Sequence, residues 1–297
     1  MTRHHTLESL SGNTVLITGA AMGMGRLYAH LAARDHAAAI ILWDLQADRL
    51  QEVADELRAL GSRTVHTEVV DVSDLDAIET AAVSVRANVG TPDILINNAG
   101  IVRGAYFWEH DQRRDVAGTM AINALAPMHV TREFLPEMIA GGRESRIVNI
   151  ASAAGLLSNP RMSVYASSKW AVVGWSDSLR LELEQAGHRH IAVTTFCPSY
   201  ITTGMFEGAR GPLLTPLLDP ETVTERVWAA MRQGAPLLMM PWSVKLSTAL
   251  RGVLPVRAWD VLADRVFGVY RSMEHFTGRA TAKPSTDTAP PATAASR

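Results

Sequence analysis

The sequence predicts an α/β fold: an open, doubly wound parallel sheet of about seven strands, with helices on both faces. Three observations predict it. Short apolar, β-branched runs alternate with longer helical patterns along most of the chain. The first run enters a glycine-rich turn and then a helix. Polar and glycine clusters recur where strands end, which is where open α/β sheets bind ligands.

Composition narrows the classes. The chain has 297 residues, 47% hydrophobic and 20% charged, as expected of a globular protein with a sizeable core. Net charge is −2 with no block of like charges, which argues against a nucleic-acid partner. The single Cys197 follows a strand-like run and reads as a buried thiol in a reducing, cytoplasmic setting. The histidines lack metal-ligand spacing, so no metal is expected. Residues 1–11 read as a polar N-terminal arm without a signal-peptide core.

In chain order, Asn13–Thr18 is the first strand. It leads into Gly19, Met22, Gly23, Met24 and Gly25, with a helix expected over Arg26–Arg34. Glycines let backbone approach a ligand, and the following helix offers free amides and a positive dipole end to a pyrophosphate. The second strand, from Ala38, ends at Asp44, nineteen residues beyond Gly25. An acid at about that distance can accept hydrogen bonds from an adenine ribose and repel a 2′-phosphate. It could also cap the next helix, which the pattern puts at Ala47–Leu60. Arg49 is the nearest cation that could offset it.

Thr64–Val70 reads as strand three, followed by Asp71, Val72 and a helix with Ser73 as candidate N-cap. Asp93–Ile96 gives strand four and runs into Asn97, Asn98, Ala99 and Gly100, a tight turn able to pack against a cofactor. A long helix is expected from about Asp111 to Met138. Asn123 inside it is an unfavourable helix former that would kink the helix or hold a water. Ser145–Ala151 is strand five and ends at Ser152.

Tyr165 and Lys169, four apart on the next helix, share a face. An ammonium beside a phenol is expected to lower the tyrosine pKa into the range of proton exchange. Ser152 could reach the same point. Trp175, Leu179 and Leu183 on that helix read as core or interface. Strand six, Ile191–Cys197, leads to Pro198, Tyr200, Ile201, Thr203 and Met205. Phe206–Leu218 reads as a mobile lid. A helix over Pro220–Gln233 and a strand over Leu237–Met240 complete the alternation.

Residues 12–241 are thus expected to form the nucleotide-binding and catalytic domain. Residues 242–277 form a helical extension with two apolar stripes, 246–254 and 259–273. It could cover a substrate mouth, pair subunits or lie on a lipid surface. Residues 278–297 read as a disordered tail. No apolar run is long enough to span a membrane.

Together these motifs resemble the short-chain dehydrogenase/reductase family over roughly residues 11–240, and so imply its Rossmann-type fold. The resemblance rests on Thr18-Gly19-x3-Gly23-x-Gly25, Asp71, Asn97-Asn98-Ala99-Gly100, Asn123, Ser152 and Tyr165-x3-Lys169. It implies Tyr165 as general acid/base, Lys169 on the nicotinamide ribose, Ser152 on the substrate oxygen and Asn123 in a water relay. It implies a nicotinamide cofactor held by Gly19, Met22, Gly23, Met24, Gly25, Asp44, Asp71, Val72, Asn98, Ala99, Gly100, Tyr165, Lys169, Pro198, Ile201 and Thr203. NAD is expected over NADP. Pro198-Ser199 departs from the family's usual Pro-Gly.

Finer detail is similar to the branch with retinol and 17β-hydroxysteroid dehydrogenases, without that branch's apolar anchor. The apolar residues Leu156, Leu157, Met162, Tyr200, Met205, Phe206 and Leu213 flank the catalytic groups. With Ser152 and Tyr165 they imply a lipophilic alcohol or ketone as substrate. A ketoacyl or xenobiotic carbonyl reductase is the alternative, and a non-catalytic NAD-binding scaffold is the rival of another class. The family's habit implies a homodimer or homotetramer.

Overall fold

A computed structural model of the protein describes residues 6–278. The tail expected over 278–297 therefore lies, but for Gly278, outside the described residues, as do residues 1–5 of the N-terminal arm. Seven strands form one parallel sheet in the order β3-β2-β1-β4-β5-β6-β7. They are β1 (Thr14–Thr18), β2 (Ala39–Asp44), β3 (Val65–Val69), β4 (Ile94–Asn97), β5 (Ser145–Ile150), β6 (Ile191–Pro198) and β7 (Leu237–Met240). The order reverses between β1 and β4, which opens a crevice at the carboxyl ends of those strands.

Side-chain alternation explains the two layers. Along β1, Val15 and Ile17 enter one core while Leu16 enters the other; β2 splits Ile40 and Leu42 from Ile41 and Trp43 in the same way. One face is covered by α1 (Gly23–Arg34), α2 (Ala47–Ala59) and α7 (Pro220–Arg232). The opposite face carries α3 (Leu75–Asn88), α5 (Ala126–Gly141) and α6 (Ser163–Gln185). Burial on both faces is why the strands read as continuous apolar runs. Leu179 and Leu183 belong to the second core, with Trp175 packed at its edge.

Several expectations need correction. The first helix begins at Gly23, inside the glycine turn, rather than at Arg26. The cap of α3 is Asp74, whose side chain accepts from the Asp76 amide; Ser73 instead bonds the Asp71 carboxylate. The long helix over 112–141 is not uniformly α-helical. It contains two π-helical stretches, Gln112–Ala117 and Ala121–Leu125, separated by α4 (Gly118–Met120). Asn123 sits in the second, and its side chain bonds the Ile101 backbone rather than that of its own helix.

The extension folds as α8 (Trp242–Val253), α9 (Val256–Val261) and a π turn over Leu262–Val266. The second stripe is therefore not one helix: a left-handed Gly268 and a 3-10 turn over Val269–Arg271 break it. These elements pack inward on the substrate side. Trp259 and Ala263 are buried against Leu157, and Met273 joins Met162, Tyr165 and Tyr200. The segment expected as a lid is tied to the extension through main-chain bonds from Arg210 to Ser272, Leu213 to Phe267 and Thr277 to Glu207. No helix among the described residues is long and apolar enough to cross a membrane.

Candidate active site

The glycine turn owes its shape to close packing. A Cβ at Gly25 would lie 2.0 Å from the Gly19 carbonyl oxygen, so no other residue lets α1 approach the turn. Gly19 itself has φ +66, and a Cβ there would meet Ala99 Cα at 2.9 Å. Asn98 holds the two strand ends together: its Nδ2 donates to the Thr18 and Gly19 carbonyls at 2.9 and 3.1 Å. The Thr18 hydroxyl in turn accepts from the Asn98 and Ala99 amides, both at 3.1 Å.

No side chain caps α1, whereas Asp74 and Asp219 cap α3 and α7. The first-turn amides of α1 therefore remain for an anion. They open onto a cleft that runs along the carboxyl ends of the strands. Of the sixteen residues expected to hold a cofactor, only Gly25 lies behind its wall. Leu45, Gln46, Val70, Ile101, Ile122 and Ile150 also line it and were not singled out from sequence. They are ordinary apolar or loop residues whose spacing carries no signal.

Asp44, at the end of β2, is 9% exposed and lines this cleft. Its Oδ2 accepts from the Ala21 amide and its Oδ1 from the Gln46 amide, each at 3.0 Å. Each oxygen keeps a further acceptor site for a ribose hydroxyl. The N-cap of α2 is Gln46 rather than Asp44, and Asp44 instead bonds the Gln46 amide in the turn that leads into the helix. Arg49 is exposed and does not line the cleft. The residues present thus fit a dinucleotide: orphan amides for phosphate and a carboxylate for ribose.

Where the cleft meets β5 and β6, Ser152, Tyr165 and Lys169 come together, all buried. The Lys169 Nζ donates to the Ile150 carbonyl at 2.8 Å and lies 5.8 Å from the centre of the Tyr165 ring. Asn123 is fully buried; its Nδ2 donates to Ile101 O at 2.8 Å and Ser168 Oγ at 3.1 Å, and its Oδ1 accepts from the Ile101 amide. Both amide hydrogens are committed, so this side chain braces the strand-four turn.

The electrostatics correct one expectation. Burial raises the Tyr165 pKa above its ordinary value, opposed by a hydrogen bond with Ser152, and Lys169 is not among the causes. Burial also pushes the Lys169 ammonium down to about 8. The pair shares a desolvated site, and the lysine is directed to a carbonyl, so desolvation of the phenol wins over attraction. Burial pushes the Cys197 thiol up to about 12, which makes it an inert core group.

A second, mostly apolar cavity adjoins the cleft. Ser152, Ser199 and Phe206 line both. Leu157, Met162 and Tyr200 line the second cavity as expected, while Tyr165 and Met205 face the cleft. Phe206 stands edge-on to Tyr165 and Tyr200, with centroids at 5.9 and 5.2 Å. Leu213 is 58% exposed, and Leu156 packs with Ala151 and Val172; neither lines the cavity, because the chain turns each away. Among the other lining residues, Asn159, Thr215, Val244, Ser247 and Val269 were not singled out from sequence. The last three come from the extension, which no periodicity could dock here.

Comparisons with known proteins agree with this architecture. The family model "short chain dehydrogenase" matches residues 13–212. Mouse epidermal retinol dehydrogenase 2 is 35% identical over 274 residues, covering 92% of this chain and 87% of that protein. Human estradiol 17-beta-dehydrogenase 11 is 35% identical over 259 residues, covering 87% and 85%. A short-chain dehydrogenase/reductase from Burkholderia phymatum, solved in complex with NAD, superposes with TM-score 0.75 at 27% identity over 83% of this chain and 95% of that one. The chain belongs to the short-chain dehydrogenase/reductase family of oxidoreductases, in the branch of the retinol and estradiol dehydrogenases.

Proposed function

We propose that the protein is an NAD-dependent dehydrogenase that interconverts a lipophilic alcohol and its ketone or aldehyde. The observation that carries this reading is the junction at Ser152, where the Asp44-bearing cleft meets an apolar cavity beside Tyr165. The names of the retinol and estradiol dehydrogenases to which the chain is similar support a lipophilic substrate.

Gly19, Gly23, Asp44, Asp71, Asn98 and Lys169 would hold the dinucleotide along the cleft. When bound, its nicotinamide supplies the hydride acceptor and, oxidised, a positive charge. In the oxidative direction Tyr165 takes the hydroxyl proton of the alcohol as the carbinol hydrogen leaves as hydride. Ser152 and Tyr165 hydrogen-bond the oxygen while it changes charge, which favours the transition state over the ground state. Tyr165 is buried and raised by protein groups alone, so its ionisation depends on positive charge brought to it. Lys169, already lowered to about 8, is poised to exchange a proton near neutral pH.

The test is a panel of sterols, terpenoid alcohols, long-chain alcohols and acyl thioesters, assayed with NAD(H) and NADP(H). Turnover of lipophilic alcohols with NAD is expected. Turnover confined to ketoacyl thioesters with NADPH would replace this reading with a ketoacyl reductase.

A further inference from the structure

The catalytic phenol is covered in part by the far end of the extension. Tyr165 is 4% exposed and packs in one buried cluster with Met162, Tyr200 and Met273. Val102, Phe206 and Phe276 pack against that cluster. Met273 and Phe276 belong to residues 272–277, which follow the 3-10 turn over Val269–Arg271.

Several contacts hold this segment down. The Arg210 amide donates to the Ser272 carbonyl and the Thr277 amide to that of Glu207, each at 2.9 Å. The Tyr200 and Ser272 hydroxyls lie 2.7 Å apart. Two glycines make room for the close approach. A Cβ at Gly208, where φ is +81, would fall 2.0 Å from the His275 carbonyl oxygen. One at Gly104 would fall 2.5 Å from the Phe276 ring. The segment is thus laid against both the loop after β6 and the loop after β4.

What it covers is the group whose ionisation the reaction requires. A dinucleotide in the cleft would fill that side of Tyr165, and the apolar cluster is the protein's own cover. Side chains that keep water from a phenol hold it protonated, because the phenolate loses its hydration there. Burial is the largest cause that raises Tyr165 above its ordinary value; Tyr200 and Cys197 add to it in smaller measure, and Ser152 opposes it. Lys169, on the same helix, is directed at the Ile150 carbonyl. Of the charges on the neighbouring loops, Arg103 lies 3.7 Å from Asp115 and Arg161 stacks over Tyr106. Glu207, Arg210, Arg271, Glu274 and His275 are exposed.

We propose that residues 272–277 are a strap that keeps water from the catalytic phenol, and that Met273 is a positioning residue of the active site. The strap acts through Tyr165 and on no reacting atom itself. The proposal rests on the dehydrogenase reading above for the reaction that the strap tunes. Opening the strap eases formation of the phenolate, and so extends oxidation to lower pH.

The experiment compares three variants of the full chain with wild type. Met273→Ala opens the cover from within, and Met273→Leu refills it. Gly208→Ala lifts the strap from outside, by crowding the His275 carbonyl. One readout is the pH dependence of kcat for NAD-dependent oxidation of a lipophilic alcohol. The other needs no substrate: phenolate absorbance is titrated with NAD bound, each protein against its Tyr165→Phe counterpart.

Met273→Ala and Gly208→Ala are each expected to move the acidic limb of the kcat profile, and the Tyr165 titration, to lower pH by about one unit. Met273→Leu should stay close to wild type. A pH profile that coincides with wild type in either alanine variant, whatever its loss of rate, overturns the proposal. So does a shift to higher pH, which would mark Lys169 as the group uncovered. A shift in Met273→Leu as large as in Met273→Ala overturns it as well. Should one alanine variant not fold, the other decides. If no alcohol is turned over, the dehydrogenase reading fails, and the absorbance titration alone decides on the strap.

Discussion

At the scale of single residues, burial governs the chemistry more than spacing does. The Tyr165-x3-Lys169 spacing did place both groups at one site, and Ser152 beside them. It did not reveal that Lys169 is drawn to the Ile150 carbonyl or that burial outweighs its charge. Desolvation is a property of the packed site and leaves no mark on a four-residue pattern. It has a consequence for stability. Lys169 is lowered to about 8 in the folded chain against its ordinary 10.5, so the unfolded chain holds the extra proton between those values. The free energy of unfolding of the wild type, relative to Lys169→Met, should therefore rise with pH from about 8 to about 10. A flat or falling difference in denaturant titrations across that window would contradict the burial argument. Asp44→Ala should relax the choice between NAD and NADP by about tenfold or more, since a like charge near a 2′-phosphate costs about 1–4 kcal/mol. An unchanged ratio of kcat/KM values for the two cofactors would show that Asp44 does not select.

At the scale of elements, the strands and the helices flanking them were legible because each had a clean period. Every strand read from sequence is present within a residue or two at each end. Helix starts were less legible. The glycine turn hid the first residues of α1, since glycines signal a turn and here also serve the helix. Asp74 and Ser73 are both good caps by type, and only geometry chose between them. Asp74→Ala should lower stability by about 1 kcal/mol, whereas Ser73→Ala should cost less in chemical denaturation. Equal costs would undo that assignment. Gly25→Ala should be far more damaging, because its Cβ would fall 2.0 Å from a backbone oxygen that cannot move aside. A melting temperature within a degree or two of wild type would show that α1 has room to shift.

At the scale of the whole molecule, the sheet delivers one half of the site and the extension delivers the other. The switch between β1 and β4 explains why the cofactor-type cluster was readable: its residues sit at strand ends in sequence order. The substrate wall draws on Asn159, Val244, Ser247 and Val269, far apart in sequence and unified only by docking of residues 242–278. That docking favours the first of the three uses anticipated for the extension, a cover over the mouth. Trp259→Ala should cost about 3–5 kcal/mol and loosen the cavity, visible as a raised KM with NAD affinity unchanged. Exposed Leu125 and Leu181, beside α5 and on α6, suit the homo-oligomer that the family resemblance implies, and light scattering is expected to give a dimer or tetramer. The proposed reaction depends on proton exchange at one buried phenol, Tyr165. Its most direct test compares Tyr165→Phe with wild type for NAD-dependent oxidation of a lipophilic alcohol, alongside the thermal shift that NAD produces in each. A loss in kcat of about 10²-fold or more, with the NAD-induced shift retained, is the expected result; turnover equal to wild type would contradict it.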